Sequence, residues 1–385
     1  MKKKIAILGS TGSIGKNLID IIKKDKKNIK IILLTANTNC SELFRQAKYF
    51  KVRHLIITNK KKFDFFKKKE TKYLIYNNFD HLDKIFKNKI DYVMSAITGL
   101  AGLYPTIKII KYTNKIAIAN KESIVCGWNL IKKELNKYKT KFVPVDSEHF
   151  SLWFGAGNKL ELNVDKIFLT ASGGPFLGMQ KKKLKKANIE QALNHPKWKM
   201  GKKISVDSAT MINKVFEVIE AKNIFNIPYK KISILIHRES YIHSIIKFSN
   251  GLIKLIAHDT TMKIPIFNTL YNESNNTIKS KDLNLKKLND LDFLTVNQSK
   301  FRIQKILKNL PDKISLFETV LVSANDQLVD LFLNNKIKFQ DIINKLIIFM
   351  KKKEFLNYKK LEPKNILDII KLSSYVKQKI NDIYQ

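Results

Sequence analysis

Cysteine is almost missing from this chain of 385 residues: Cys40 and Cys126 are the only two. Two thiols cannot build the disulfide framework of a small secreted scaffold. With no CxxC pair, neither a zinc ribbon nor a redox motif is expected, and both thiols read as reduced and structural. Nor does any apolar run reach the roughly 20 residues that cross a bilayer. The first residues, Met1-Lys2-Lys3-Lys4-Ile5-Ala6-Ile7-Leu8-Gly9, are basic, but the apolar stretch after them is short and ends in glycine. A signal peptide does not look like that, and no room is left for a transit peptide, so a cytoplasmic protein without a membrane partner is expected.

Acidic residues are scarce as well. Asp and Glu number 33 against 72 Lys and Arg, a formal net charge of +39. Such a bias raises nucleic acid or an anionic surface as partners. No zinc finger, RNP signature or heptad-linked basic region accompanies it, however. Lys, Asn and Ile recur along the whole chain, including its solvated helix faces, so the bias reads as coding composition and no specific nucleic-acid partner is expected. The charge still suits attraction of phosphorylated metabolites. The length implies two or three cores, and no internal repeat is detectable.

The first third alternates short apolar runs with amphipathic stretches. Strands are expected at 4–8, 30–35, 55–58, 73–76, 92–96, 116–119 and 141–145, with helices between several of them. That alternation argues for a parallel sheet flanked by helices. Further strands are expected at 167–170, 232–236, 242–248 and 252–257, with a helix over 209–223, which reads as an α+β region. A polar stretch from Asn272 resembles a linker. The last ~85 residues carry apolar stripes at helical spacing and read as a bundle.

Gly9-Ser10-Thr11-Gly12-Ser13-Ile14-Gly15 joins the first strand to the first helix. Glycines at this GxxGxxG spacing let the backbone turn tightly and approach a pyrophosphate, and the helix start offers free N–H groups. The second strand should then carry an acidic residue for an NAD ribose. Here it ends Thr35-Ala36-Asn37-Thr38-Asn39, all neutral, which favours NADP.

Asp146-Ser147-Glu148-His149 follows another strand. If the strand continues, Asp146 and Glu148 share one side. Paired carboxylates repel unless a cation lies between them, and oxygen ligands suit Mg²⁺ or Mn²⁺. A solvated acidic turn is the plainer alternative. In Ser205 to Glu217 a helix start is expected, with Asp207 or Ser208 as its cap. Ser208, Asn213 and Lys214 would then form a phosphate cradle, with Glu217 as a third carboxylate; a surface Lys214–Glu217 ion pair is the alternative. Ser172-Gly173-Gly174 ends a strand in a turn suited to an anion and is not GxSxG, so Ser172 is no hydrolase nucleophile. His195-Pro196-Lys197-Trp198-Lys199-Met200-Gly201 suits a lid. Lys121, in Asn120-Lys121-Glu122-Ser123, follows a strand end where ligands of open sheets bind, placed to steady an oxyanion.

Together these segments resemble one family closely: 1-deoxy-D-xylulose 5-phosphate reductoisomerase. The resemblance rests on GSTGSIG at 9–15, ANKES at 119–123, PVDSEH at 144–149, SGGPF at 172–176 and NHPKWKMGKKISVDSATMINK at 194–214, with Glu217 following. It spans nearly the whole chain. It implies an α/β chain: an N-terminal Rossmann-like NADPH-binding domain at 1–147, an α+β catalytic and dimerisation domain at 148–271, a linker at 272–295 and a C-terminal helical domain at 296–385. It implies a homodimer that rearranges and reduces 1-deoxy-D-xylulose 5-phosphate to 2-C-methyl-D-erythritol 4-phosphate, in isoprenoid precursor synthesis, by a retro-aldol cleavage, recombination and hydride transfer. NADPH and Mg²⁺, Mn²⁺ or Co²⁺ are the implied cofactors.

Carried over by position, Asp146, Glu148 and Glu217 resemble the metal ligands, and with Lys121 the catalytic set. Ser147, Ser172, His195, Ser208, Asn213 and Lys214 resemble substrate contacts. His195, Trp198 and Met200 belong to the lid. Thr11, Gly12, Ser13, Ile14, Asn37, Thr38, Asn39, Asn120, Lys121, Glu122 and Gly201 resemble cofactor contacts. Three departures stand out. Asn37-Thr38 replaces a common Gly-Lys, which removes a cation near the 2′-phosphate. Phe150 stands where Asn is expected, and His237-Arg238-Glu239-Ser240 replaces His-Pro-Gln-Ser. Two other readings compete: a different NADP-dependent dehydrogenase, which would need Cys126 as nucleophile, and a basic nucleic-acid-binding protein.

Overall fold

In the computed structural model, residues 2–159, 163–272 and 275–384 are described. Their contacts divide the chain into two compact units. The first comprises residues 1–123, 130–150 and 262–279, and the second 124–129, 151–261 and 280–385.

The first unit is built on seven strands: β1 (Lys3–Leu8), β2 (Ile29–Ala36), β3 (His54–Ile57), β4 (Leu74–Tyr76), β5 (Tyr92–Ser95), β6 (Lys115–Ile118) and β7 (Lys141–Pro144). Their order is β4-β3-β2-β1-β5-β6-β7, and every pairing is parallel. Strands buried on both faces read as unbroken apolar runs: Ile5 to Leu8, Leu55 to Ile57 and Tyr92 to Met94 are all buried. Helices α1 (Ser13–Lys23), α2 (Cys40–Phe50) and α3 (Lys60–Lys69) follow the first three strands. All seven strands lie where the alternation of the sequence predicts them.

The second unit carries a mixed sheet ordered β11-β10-β8-β9-β12, from β8 (Val164–Ala171), β9 (Ile232–Ile236), β10 (Ile242–Phe248), β11 (Ile253–Ala257) and β12 (Leu294–Thr295). Only the β8–β9 pair is parallel. The helices Phe317–Leu333, Phe339–Met350 and Ile366–Tyr384 belong to the same unit. Their apolar stripes, among them Val320, Leu321, Leu328, Leu346, Val376 and Ile380, are buried together, as the helical spacing predicts.

Two segments depart from a simple succession of regions. The helix Lys263–Tyr271, sequence neighbour of the mixed sheet, belongs to the first unit. Ile266, Phe267, Leu270 and Tyr271 enter that unit's core, and Thr269 bonds the buried Tyr92 hydroxyl at 2.8 Å. The polar stretch 272–295 is not a bare linker: it holds a short helix, Leu285–Asn289, and β12, which pairs with β9. Both reflect tertiary burial that local composition does not encode.

Candidate active site

In the first unit the site begins at the glycine loop. Gly9 has φ +79°, and a Cβ there would stand 2.7 Å from the Ala96 carbonyl oxygen. A Cβ on Gly15 would meet the Gly9 oxygen at 2.4 Å. Only glycine allows the turn and the close seating of α1 on it. Thr35, at the end of β2, holds the loop: its hydroxyl accepts from Gly9 N at 2.8 Å and its carbonyl from Ser10 N at 2.9 Å. Gln46 of α2 donates to the Ser10 carbonyl at 3.1 Å. The helix α1 starts at Gly12 without a side-chain cap, so its first N–H groups suit a phosphate. Thr11, Ser13 and Ile14 line this start. Asn37, Thr38 and Asn39 are exposed on the neighbouring loop. Asn39 caps α2 by accepting from Glu42 N at 3.3 Å.

Asn120 caps the helix Lys121–Tyr138, accepting from Ser123 N at 2.6 Å, and its amide donates to the Ile97 and Gly99 carbonyls. Its amide is thus committed to holding the loop after β5. Lys121 and Glu122, in the first turn, are buried. Lys121 Nζ lies 2.9 Å from Asp146 Oδ2. The acidic pair is not on a continuing strand, as alternation supposes. The strand β7 ends at Pro144 and the helix Ser147–Gly155 begins at once, with Glu148 in its first turn. Asp146 precedes the helix and Glu148 lies within it, so strand alternation does not orient the pair. Ser147 donates to Glu148 Oε2 at 2.6 Å. His149 lies 3.6 Å from Asp146 through Nδ1. Burial pushes the Asp146 carboxyl up, but the Lys121 ammonium and His149 outweigh it and hold it well below the usual carboxylate range.

In the second unit, the segment Ser205 to Glu217 is arranged differently from the expected capped helix. It forms two helices, Lys202–Thr210 and Ile212–Phe225, separated by Met211 at φ 66°. Asp207 and Ser208 sit inside the first helix and cap nothing. Asp207 is buried and committed to Lys203 at 2.8 Å and to Asn325 at 2.8 Å. Asn325 lies on the helix Phe317–Leu333, so the C-terminal bundle braces this helix. The left-handed turn at Met211 sets Ser208, ending one helix, beside Asn213 and Lys214, starting the next. At the start of the second helix Met211 caps nothing and Ile212 N meets only the Thr210 hydroxyl, at 3.4 Å, and such a start suits an anion.

Lys214 and Glu217 form an ion pair that is 5% and 1% exposed, so it is no surface pair. Lys214 Nζ also donates to the Thr170 carbonyl at 2.6 Å, and Asn213 donates to Glu217 at 2.5 Å. Glu220, one turn beyond, is buried too and was not singled out from sequence. Burying such charges costs several kcal/mol unless they are paired, which argues that they serve a function.

Past β8, the Ser-Gly-Gly turn rests on the same corner: a Cβ on Gly174 would be 2.8 Å from the Ser208 carbonyl oxygen. Ser172 Oγ accepts from Gly174 N at 3.2 Å and lies 3.0 Å from His195 Nε2. His195 Nδ1 accepts from Lys197 N at 3.1 Å and Trp198 N at 3.0 Å, so its proton sits on Nε2 and points at Ser172. Burial pushes the ring down to about 4, which keeps it neutral. The Ser172 hydroxyl, accepting twice, keeps its own proton as a donor. Trp198 lies edge-on to His243, ring centroids 6.2 Å apart. Lys197 pairs with Glu239 at 3.0 Å. Met200 and Gly201 lead into the helix Lys202–Thr210, with Gly201 at its N-cap position. Cys126 is fully buried, its Sγ on the Glu318 carbonyl, which leaves no accessible nucleophile for the competing dehydrogenase reading.

Family models match along most of the chain: 1-deoxy-D-xylulose 5-phosphate reductoisomerase over residues 5–127, its C-terminal domain over 142–225, and a DXP reductoisomerase C-terminal domain over 259–379. The 1-deoxy-D-xylulose 5-phosphate reductoisomerase of Pelagibacter ubique is 55% identical over 99% of both chains. This chain belongs to that family. Its relative in Sulfurihydrogenibium is 38% identical over 93% of this chain and 92% of that one. The solved reductoisomerase of Zymomonas mobilis in complex with NADPH superposes with a TM-score of 0.86 at 29% identity, covering both chains fully. A reductoisomerase structure with NADPH, fosmidomycin and magnesium also gives 0.86, at 29% identity over 99% of this chain and 97% of that one. No helix among the described residues is long and apolar enough to cross a membrane.

Proposed function

We propose that this chain converts 1-deoxy-D-xylulose 5-phosphate to 2-C-methyl-D-erythritol 4-phosphate, using NADPH and a divalent cation. The observation that carries the reading is full-length identity of 55% to a reductoisomerase, joined to a chain that retains every expected acidic ligand and phosphate-cradle residue. NADPH supplies the hydride, and a divalent cation polarises the substrate oxygens it chelates. Asp146, Glu148 and Glu217 are the proposed ligands. Their all-oxygen donor set fits Mg²⁺, Mn²⁺ or Co²⁺. Lys121 keeps Asp146 ionised, and Lys214 pairs with Glu217.

Ser172, Ser208, Asn213 and the uncapped start of the helix Ile212–Phe225 receive the substrate phosphate. His195 orients the Ser172 hydroxyl. Binding the remote phosphate orients the sugar and retains it through bond cleavage. Trp198 and Met200 close over the substrate and exclude water. The glycine loop holds the NADPH pyrophosphate, with Asn120, Lys121 and Glu122 towards the nicotinamide end.

A homodimer is part of this reading. Leu252, just before the edge strand β11, and Ile253 and Leu255 within it are 63%, 57% and 44% exposed, and an unpaired apolar edge is a natural pairing surface. Light scattering at micromolar concentration tests it; a monomer would refute it. The enzyme is placed in the cytoplasm, where phosphorylated sugars and NADPH meet.

The deciding experiment follows NADPH oxidation with 1-deoxy-D-xylulose 5-phosphate, with and without Mn²⁺. Metal-dependent turnover is expected. Folded protein with no turnover in Mn²⁺ would overturn the assignment, and Cys126→Ala should turn over normally.

A further inference from the structure

NADPH differs from NADH by a phosphate on the adenosine ribose. That ribose lies at the carboxyl end of the second strand of such a sheet, and a cation nearby accommodates the phosphate. The loop at that place, Asn37-Thr38-Asn39, is exposed but holds no cation. The ionised group in the first turn of α2 is Glu42, held by Arg45 at 2.6 Å and Gln46 at 2.7 Å. A dianion on this loop needs its counter-charge from elsewhere.

The sheet brings one alongside. The strand β3 runs parallel to β2 with Ile57 in register with Ala36. Thr58 N donates to the Ala36 carbonyl at 3.0 Å, and the Thr58 hydroxyl donates to Asn37 Oδ1 at 3.3 Å. The residues after Thr58 open α3 with three exposed lysines, Lys60, Lys61 and Lys62. Asn59 caps that start by accepting from Lys62 N at 3.1 Å. Lys60 is committed to Asp64 at 3.0 Å and lies over the Phe63 ring. Lys62 is placed differently. Its backbone N–H is held by Asn59, the neighbour of the Thr58 that bonds Asn37, it makes no ion pair among the described residues, and its ammonium opposes the rise that burial gives the Cys40 thiol at the start of α2.

We infer that Lys62 supplies the positive charge that recognises the NADPH 2′-phosphate, with Asn37 and Thr38 as neutral hydrogen-bond partners. The cation stands one strand outward from β2, at the start of the helix after β3. This rests on the NADPH reading above and adds the residue that sets its preference over NADH. The group is exposed, so its pull is screened by salt.

Cofactor fluorescence titration of the full chain, without substrate or metal, separates the two claims. In Lys62→Ala the NADPH Kd should rise roughly tenfold, as loss of one charge-assisted phosphate contact implies, while the NADH Kd stays put. Lys62→Arg should keep the preference, and Lys69→Ala, at the far end of α3, should change neither. Competition by 2′,5′-ADP should weaken in Lys62→Ala and competition by 5′-AMP should not. Unchanged NADPH affinity in Lys62→Ala, or equal loss for both cofactors, overturns the assignment of Lys62 alone. Wild-type protein that binds neither cofactor overturns the NADPH reading and this inference with it.

Discussion

The glycine loop after β1 and the corner between Ser205 and Glu217 both suit phosphate groups, but by different means. The loop is a backbone device. Its glycines, its turn and its uncapped helix follow from residues close in sequence, and Thr35, Gln46 and Ala96 reach it from farther away. The corner is a side-chain device. It depends on a left-handed Met211, on buried charges that hold one another, and on Asn325, more than a hundred residues away, bracing Asp207. A local device tolerates little change in shape, whereas a buried charged one tolerates little change in charge.

The sharpest way to test that contrast is Glu217→Gln, which preserves shape and removes charge. Turnover should fall about a thousandfold, on the scale of losing a key electrostatic contact, with the circular dichroism spectrum unchanged. A loss below tenfold would remove Glu217 from the metal set. Next, Lys214→Met leaves Glu217 buried without its neighbouring ammonium. Breaking a buried pair in this way costs about 3–5 kcal/mol, read by urea unfolding, and little loss would mean the pair is better hydrated than its burial implies. In the glycine loop the effect should lie in shape. Gly15→Ala forces a Cβ within 2.4 Å of a backbone oxygen and should cost about 1–3 kcal/mol, as overpacking does. Gly12→Ala meets its nearest atom at 3.4 Å. It should leave stability within about 0.5 kcal/mol and still weaken NADPH by about tenfold, because the backbone can no longer approach the pyrophosphate closely. Equal thermal stability of the two alanine variants would break the comparison.

The smallest expected effect is one of pH. The unfolded His195 ring takes its proton near 6.5 and the folded ring only near about 4. Its contribution to stability is therefore complete above pH 6.5 and is lost as pH falls towards 4. Glu318 runs the other way: burial lifts it from 4.5 to about 7, so its contribution is present below pH 4.5 and lost as pH rises through 7. The difference in melting temperature between wild type and His195→Gln cancels the Glu318 effect. That difference should shrink between pH 7 and pH 4.5; a constant difference would show that the ring is not held neutral.

Much of this was legible beforehand, for a physical reason. Parallel strands buried on both faces must be apolar throughout, so β1 to β7 show in the sequence at nearly their true bounds. Misreadings fell where helix and strand compete over short polar segments. Asp146 and Glu148 looked like alternate strand residues, yet the chain turns into a helix at Ser147, two residues after Val145. Asp207 and Ser208 looked like a cap because a polar pair precedes an apolar run. No local signal announces that Met211 adopts a left-handed conformation, since methionine does so only when its surroundings demand it. His149, Gln46 and Glu220 carried no distinguishing pattern, although His149 stands at helical spacing from Asp146.

By itself the sequence determined the family, the parallel sheet and the glycine loop, because each depends on residue type at short range or on motifs read in order. Only the tertiary structure decided which groups are buried together. It drew the helix Lys263–Tyr271 into the first unit's core, set the Asn325 brace on Asp207, and brought the start of α3 beside the end of β2. Those pairings join residues from distant parts of the chain, and the burial that fixes them is a property of the packed unit, not of any segment alone.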